Sequence, residues 1–156
     1  MKITWFAAAF GAVLFAASTA EAQAPVCFGS GEVASPDGQI SVRITRQGRS
    51  TCGESRVETF SADGHMLSLA DYTSSDGQSG EGVVQAEWSP DSQFLAYSLS
   101  PPANRPGGHY TMAVYSRKQN KVKLLPAGKP EFTFTADALE MVGGDGKPVR
   151  MPLAAQ

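Results

Sequence analysis

Long apolar segments, histidines and clustered basic residues are all scarce in this 156-residue sequence. The longest uncharged apolar run, Trp5–Ala17, has 13 residues, whereas a helix needs about 20 to span a bilayer. The two histidines, His65 and His109, form no H-x-x-x-H metal pair. The formal net charge is −2 and the basic residues are scattered. We therefore expect no nucleic-acid partner, no metal or cofactor, and no transmembrane segment in the mature chain.

The apolar run lies inside an N-terminal segment with the three parts of a secretory signal. Lys2 supplies positive charge, Trp5–Ala17 forms the apolar core, and the small-residue stretch STAEAQA follows it. We predict cleavage after Ala22, which makes residues 1–22 the signal peptide and residues 23–156 a single β-repeat domain. An uncleaved anchor helix is the alternative. The predicted location is periplasmic or secreted.

Cysteine is equally scarce, and Cys27 and Cys52 are the only two in the chain. A small even number of cysteines in an exported protein favours a disulfide. Two cysteines without clustered histidines make a poor zinc site. We predict a Cys27–Cys52 disulfide that ties a proline-containing N-terminal arm to the first hairpin.

The mature chain also lacks a sustained 3.6-residue apolar period. Short runs of β-branched and aromatic residues alternate with Gly, Pro, Asp, Ser and Asn, which is typical of short strands joined by tight turns. The fold class is predicted to be all-β and antiparallel. Phe94–Leu99 is nearly all apolar and is expected to be the most buried strand. The predicted strands are Gln39–Thr45, Arg56–Phe60, Met66–Tyr72, Val83–Trp88, Phe94–Leu99, Tyr110–Ser116, Lys121–Leu125, Glu131–Phe134, Ala138–Val142 and a short edge strand, Lys147–Met151.

Four turns share one pattern: a hydroxyl residue, Pro or Ala, Asp, and then Gly or another small residue. Proline presets φ, the aspartate can cap backbone N–H groups, and glycine tolerates positive φ. Their aspartates are Asp37, Asp63, Asp91 and Asp137. Asp63 is interpreted as an inner hairpin turn, and the other three are 54 and 46 residues apart. Such a period, with about four strands in each, is typical of propeller blades.

The segment AEWSPDSQFLAYSLS, residues 86–100, resembles the start of a TolB-type β-propeller repeat. The resemblance rests on Trp88, on the SPD turn after it, and on the Ala-Tyr pair in the following strand. It departs from the family at Ser92, where glycine is usual. EVASPDGQISVRI and PEFTFTADALEMVGG look like two further repeat starts. The resemblance implies two propeller-blade-like units and part of a third, as an open partial propeller or a sandwich. Assembly of several copies into a ring is the alternative, because a closed propeller needs four or more blades.

The sequence contains no local catalytic signature such as a G-x-S-x-G elbow. The acidic loop Asp71–Gly82 does not match the spacing of an EF-hand and is interpreted as a polar connecting loop. The densest basic run, residues 117–123, is interpreted as a solvated hairpin tip. Loops on a rigid sheet usually carry recognition, and Pro101–Gly108 is a long loop of turn formers. The candidate binding surface comprises Arg105, His109, Tyr110 and Tyr115.

The combined observations favour an exported, non-enzymatic binding or interaction module with a protein partner, in an envelope complex. Because this function is inferred by fold analogy, two alternatives from other classes stay open. One is a small hydrolase or metal-dependent enzyme that uses His109. The other is a structural envelope component that self-assembles through open sheet edges as a homo-oligomer.

Overall fold

The computed structural model describes residues 26–48, 51–105 and 107–153, which form ten strands. The predicted signal peptide lies outside these residues. Every strand pair among the described residues is antiparallel, which confirms the predicted all-β class. No helix among the described residues has the length and apolar character to cross a bilayer. The strands are β1 (Gly31–Ala34), β2 (Ile40–Gln47), β3 (Glu54–Ser61), β4 (Met66–Asp71), β5 (Val83–Trp88), β6 (Phe94–Leu99), β7 (Tyr110–Ser116), β8 (Lys121–Phe134), β9 (Ala138–Gly143) and β10 (Pro148–Pro152).

The predicted bounds of β5, β6 and β7 agree with the structure, and all six residues of β6 are buried as expected. The bounds of β2, β3, β4, β9 and β10 differ from the predicted ones by one or two residues. The structure makes two larger corrections. β1 was not predicted, because its four residues contain only one partly buried apolar side chain, Val33, and show no clear alternation. The segments predicted as two strands at residues 121–125 and 131–134 belong to one strand, β8. Pro126, Gly128 and Pro130 interrupt the sequence pattern there without ending the strand.

The strands form two unclosed sheets, one ordered β1-β2-β3-β4 and one ordered β10-β9-β8-β7-β6-β5. The 14 residues of β8 would extend for roughly 46 Å if the strand were straight. However, Lys118 just before β8 and Ala136 just after it line the same cavity. The strand therefore doubles back, and it does so at the irregularity between Ala127 and Phe132.

This reversal arranges the domain in three layers. Layer 1 is β1–β4, layer 2 is β5–β7 with residues 121–127, and layer 3 is residues 131–134 with β9 and β10. Val42 and Tyr97 belong to the buried cluster between layers 1 and 2. Met112 and Leu139 belong to a second cluster between layers 2 and 3. The side chains of β6 alternate between these two clusters, which explains why the whole strand is buried.

The Cys27–Cys52 disulfide is present, as predicted. It holds the N-terminal arm beside the start of β5, where the Phe28 N–H donates to the Val83 carbonyl at 3.1 Å. At the other end of β5, the Val33 carbonyl of layer 1 accepts a hydrogen bond from the Trp88 indole at 3.2 Å. The arm therefore covers part of the β5 edge, and Trp88 links that strand to β1.

Candidate functional site

The four aspartate turns lie at one end of the domain. The turns of Asp37 and Asp63 join β1 to β2 and β3 to β4, so an antiparallel meander places them at the same end of layer 1. The Asp37 N–H donates to the Ser92 hydroxyl in the β5–β6 turn at 3.1 Å. Asp91 of that turn lines a cavity together with Asp137 of the β8–β9 turn. We call this end, marked by these four aspartates, the Asp-turn rim.

Each of these turns is braced by its own side chains. The hydroxyls of Ser35 and Ser89 each donate to the aspartate two residues later, at 2.6 Å in both turns. Ser61 and Thr135 make the same contact in their turns. In the first turn the Asp37 carboxylate also accepts from the N–H two residues further on, at 3.1 Å. The rim is therefore a rigid set of turns and not a group of loose loops.

Charge pairing joins the rim across the layers. Arg117, in the turn between β7 and β8, forms a salt bridge with Asp37 of layer 1. The Ser35 hydroxyl and then the Arg117 guanidinium lower the pKa of Asp37 to about 2. In layer 3, Arg150 donates two hydrogen bonds to Asp137, at 2.8 and 2.9 Å. These carboxylates are therefore held by partners in the folded protein.

A cavity of about 530 Å³ opens at the rim between layers 1 and 2. Its walls include Arg117 and Asn120 from the β7–β8 turn and Leu67 from β4. The Asn120 amide donates to the Leu67 carbonyl at 2.9 Å and accepts from the Tyr115 hydroxyl at 3.0 Å. The cavity thus combines an apolar floor with polar groups that are already oriented by hydrogen bonds.

A second groove lies on the other side of the same turn. One part, of about 380 Å³, lies between layers 2 and 3 and is lined by Lys118, Asp137 and Leu153. Another part, of about 280 Å³, is lined by layer 2 and its β7–β8 turn, including Lys121 and Lys123. The two parts share Phe94 as a wall. The β7–β8 turn therefore separates two recesses and contributes side chains to both.

The opposite end of the domain is organised by a buried carboxylate, Glu54, whose side chain lies under the loop between β4 and β5. The Ser74 N–H donates to Glu54 at 2.7 Å, the Gly80 N–H donates at 2.8 Å, and the Ser74 hydroxyl also donates. Burial acts to raise the pKa of Glu54, but these hydrogen bonds outweigh it and hold the pKa below its usual value. A Cβ at position 80 would lie 2.3 Å from the Tyr72 carbonyl oxygen, so glycine is required there.

The predicted binding residues do not form one surface. Arg105 and His109 are exposed in the loop between β6 and β7, and Tyr110 is half-buried at the start of β7. Tyr115 lies at the far end of β7, near the rim, and is only 2% exposed within the core. Asn104, in the same loop as Arg105, hydrogen-bonds to Ser79 and so joins the β6–β7 loop to the β4–β5 loop. Sequence reasoning did not identify the recesses at the rim, because they depend on how the three layers stack.

Among the described residues, no three His, Cys, Asp or Glu side chains are grouped so that they could hold a metal ion. No family model, curated protein or solved structure matches the chain. The candidate site is therefore assigned from geometry alone. It is the Asp-turn rim with its two recesses.

Proposed function

We propose that the protein is a non-enzymatic binding module that engages a protein partner through the Asp-turn rim. The observation that carries this proposal is the convergence of all three layers on the rim, where two recesses flank the β7–β8 turn. Turns held on a rigid scaffold usually carry recognition, and the rim presents apolar walls with a few polar groups oriented by hydrogen bonds. The partner-binding end is thus opposite to the Pro101–Gly108 loop.

The module functions outside the cytoplasm, in the periplasm or after secretion. The Cys27–Cys52 disulfide supports this location, because disulfides persist in oxidising compartments. The secretory pattern in residues 1–22 supports it independently.

The three layers correspond, in this proposal, to two complete blades and one incomplete blade of the TolB-type repeat. Support comes from the shared position of the turns, since each layer starts with a strand that leads into an aspartate turn at the rim. Layers 1 and 2 contain four strand segments each, whereas layer 3 contains three. The domain accordingly works as an open stack of blades, in which the recesses lie between successive layers.

No observation favours the enzyme that would use His109. Within the described structure, no hydrogen bond or ion pair joins His109 to a carboxylate or to a hydroxyl group. At the β10 edge, strand pairing between copies of the chain is disfavoured. Pro148 and Pro152 remove N–H groups from that edge.

The binding proposal is tested by capture from the envelope fraction of the producing cell, with the oxidised chain of residues 23–156 immobilised. Two exposed, single-residue charge reversals are compared with wild type: Lys118→Glu at the rim and Arg105→Glu at the opposite end. We expect a saturable partner that is lost with Lys118→Glu and kept with Arg105→Glu. The reverse result would move the site to the loop, and the absence of any saturable partner would overturn the binding function.

A further inference from the structure

Among the described residues, the N-terminal half of β8 has one edge without a partner strand. Residues 121–127 pair with β7 on one side. β9 pairs with β8 only at Ala127 and from Phe132 onwards, and no other described strand pairs with residues 121–126. A free strand edge presents unpaired N–H and C=O groups, and these can accept a further strand.

The hydrogen-bond alternation identifies which backbone groups face this edge. The Arg117 N–H donates to the Gln93 carbonyl at 2.9 Å, which sets the alternation between β6 and β7. The β7–β8 register extends this alternation to β8. The backbone N–H and C=O groups of Lys121 and Lys123 therefore point towards β7. The N–H and C=O groups of Val122 and Leu124 therefore point to the free edge.

The side chains along this edge alternate between the two faces of the strand, and the two faces differ in chemistry. Lys121 and Lys123 lie on the face of the groove that contains Phe94, and as alternate residues they are separated by about 7 Å along the strand. Leu124 lies on the other face and is 53% exposed. Lys121 forms no salt bridge with any described residue. The edge thus offers positive charge on one face and exposed apolar surface on the other.

We propose that an extended, acidic segment of the protein partner adds to this edge as a new strand. Its backbone pairs with Val122 and Leu124, and its acidic side chains face Lys121 and Lys123. Apolar residues at the alternate positions contact Leu124. Strand addition obtains affinity from main-chain hydrogen bonds and selectivity from alternate side chains, and opposite charges on adjacent strands stabilise the pairing. This inference rests on the proposed binding function and names the chemistry of the partner.

The free edge of β10 does not offer the same opportunity. The Leu153 N–H donates to the Asp137 carbonyl, and this contact sets the alternation of the β9–β10 hairpin. Residues 148, 150 and 152 then face outwards. Two of them are prolines, so only the Arg150 N–H is available as a donor.

The test measures the fluorescence anisotropy of a labelled nine-residue peptide in which glutamate alternates with leucine, titrated with the oxidised chain of residues 23–156. We expect saturable binding that weakens about tenfold in the Lys121→Glu/Lys123→Glu double variant, because two cross-strand charge pairs become repulsive. The matched double reversal Lys129→Glu/Lys147→Glu, away from the edge, should bind as wild type does. A lysine–leucine peptide should prefer the Lys121→Glu/Lys123→Glu variant.

Main-chain pairing is tested separately with Leu124→Pro, which deletes an outward N–H and no bond to β7, against Leu124→Thr, which keeps it. We expect only the proline variant to lose binding, and in wild type the peptide should slow hydrogen exchange at the Val122 and Leu124 amides. If Leu124→Pro fails to fold, the hydrogen-exchange measurement on wild type tests strand addition by itself.

Equal binding by the two Leu124 variants without amide protection would overturn strand addition. Absence of peptide binding, with partner capture at the rim intact, would overturn this inference and leave the proposed function standing.

Discussion

The Ser92 hydroxyl accepts a hydrogen bond from the Asp37 N–H at 3.1 Å and so joins the first turns of layers 1 and 2. Ser92 has a φ of 61°, and Gly38 has a φ of 68° at the same place in its own turn. A side chain in this left-handed region costs roughly 1–2 kcal/mol. Ser92 is nevertheless buried, with 3% of its surface exposed. The Ser92 hydroxyl therefore connects two layers from a backbone position whose φ favours glycine.

This relationship predicts different outcomes for two substitutions of Ser92. Ser92→Ala keeps the strained φ and leaves the Asp37 N–H without its acceptor, so we expect a loss of about 1–3 kcal/mol in the free energy of unfolding. Ser92→Gly loses the same bond but relieves the backbone strain, so its loss should be smaller by about 1 kcal/mol. Urea unfolding of both variants measures the difference. Equal losses would mean that the φ of Ser92 carries no strain.

A second prediction concerns the carboxylate that organises the β4–β5 loop. Glu54→Gln replaces one acceptor oxygen by an NH₂ group, which then faces either the Ser74 N–H or the Gly80 N–H, because these two groups donate to different oxygens of the carboxylate. Hydrogen bonds to a charged acceptor contribute about 1.5–3 kcal/mol each, so we expect the variant to lose at least about 2 kcal/mol of unfolding free energy. The loop amides should also exchange faster with solvent. Glu131→Gln, exposed on β8, is the matched control, and a loss no larger than in this control would contradict the structural role of Glu54.

A third prediction concerns stability in acid. The pKa of Asp37 is lowered to about 2, and that of Asp71 is lowered to about 2 by the Thr73 hydroxyl and then by Arg56. Because the usual value is 3.8, the unfolded chain takes up these protons first as the pH falls. The stabilisation is complete above about pH 4 and is lost towards pH 2.

Asp37→Asn and Asp71→Asn should each flatten the decline of unfolding free energy between pH 4 and pH 2. The two residues lie at opposite ends of the domain, so their effects should add in the double variant. Urea unfolding at a series of pH values measures this, because guanidinium ions would screen the charge pairs. Arg117→Gln probes the part of the effect that the Arg117 hydrogen bond and charge supply to Asp37. A wild-type slope in Asp37→Asn would exclude the Asp37 carboxylate as a source of acid sensitivity.

Local chemistry explains which parts of the fold were predictable. Strands β5, β6 and β7 are bounded by strong turn formers and have clear apolar patterns, so their limits could be read from the residues. The disulfide followed from cysteine count and compartment. The aspartate turns were recognisable because the Pro, Asp and Gly residues that favour a turn lie within four consecutive residues. These features depend on neighbours in the sequence.

The other features of the fold and of the candidate site depend on residues that are distant from one another in the sequence. Tyr115 was predicted as a binding residue because tyrosine is common in interfaces. It belongs to the core between layers 1 and 2 and also lines the cavity at the rim, far from the Arg105 loop with which it was grouped. Glu54 has no local signal, since its donors are 20 and 26 residues away. The recesses exist because β8 doubles back at Gly128–Pro130, where the sequence pattern indicates only a break between strands. Long-range stacking therefore determines the candidate site.

The last prediction concerns the open edge of layer 3. Replacing both prolines, in the Pro148→Val/Pro152→Val variant, restores two outward N–H groups and adds β-branched residues, which favour strand pairing. We expect the wild-type chain of residues 23–156 to sediment as a monomer, and this variant to associate as its concentration rises. Val149→Thr on the same strand adds no N–H group and should remain monomeric. A discrete oligomer of the wild-type chain would contradict this prediction. It would mean that the two prolines of β10 are not sufficient to prevent association between copies. The recesses would then have to be examined at the contact between copies.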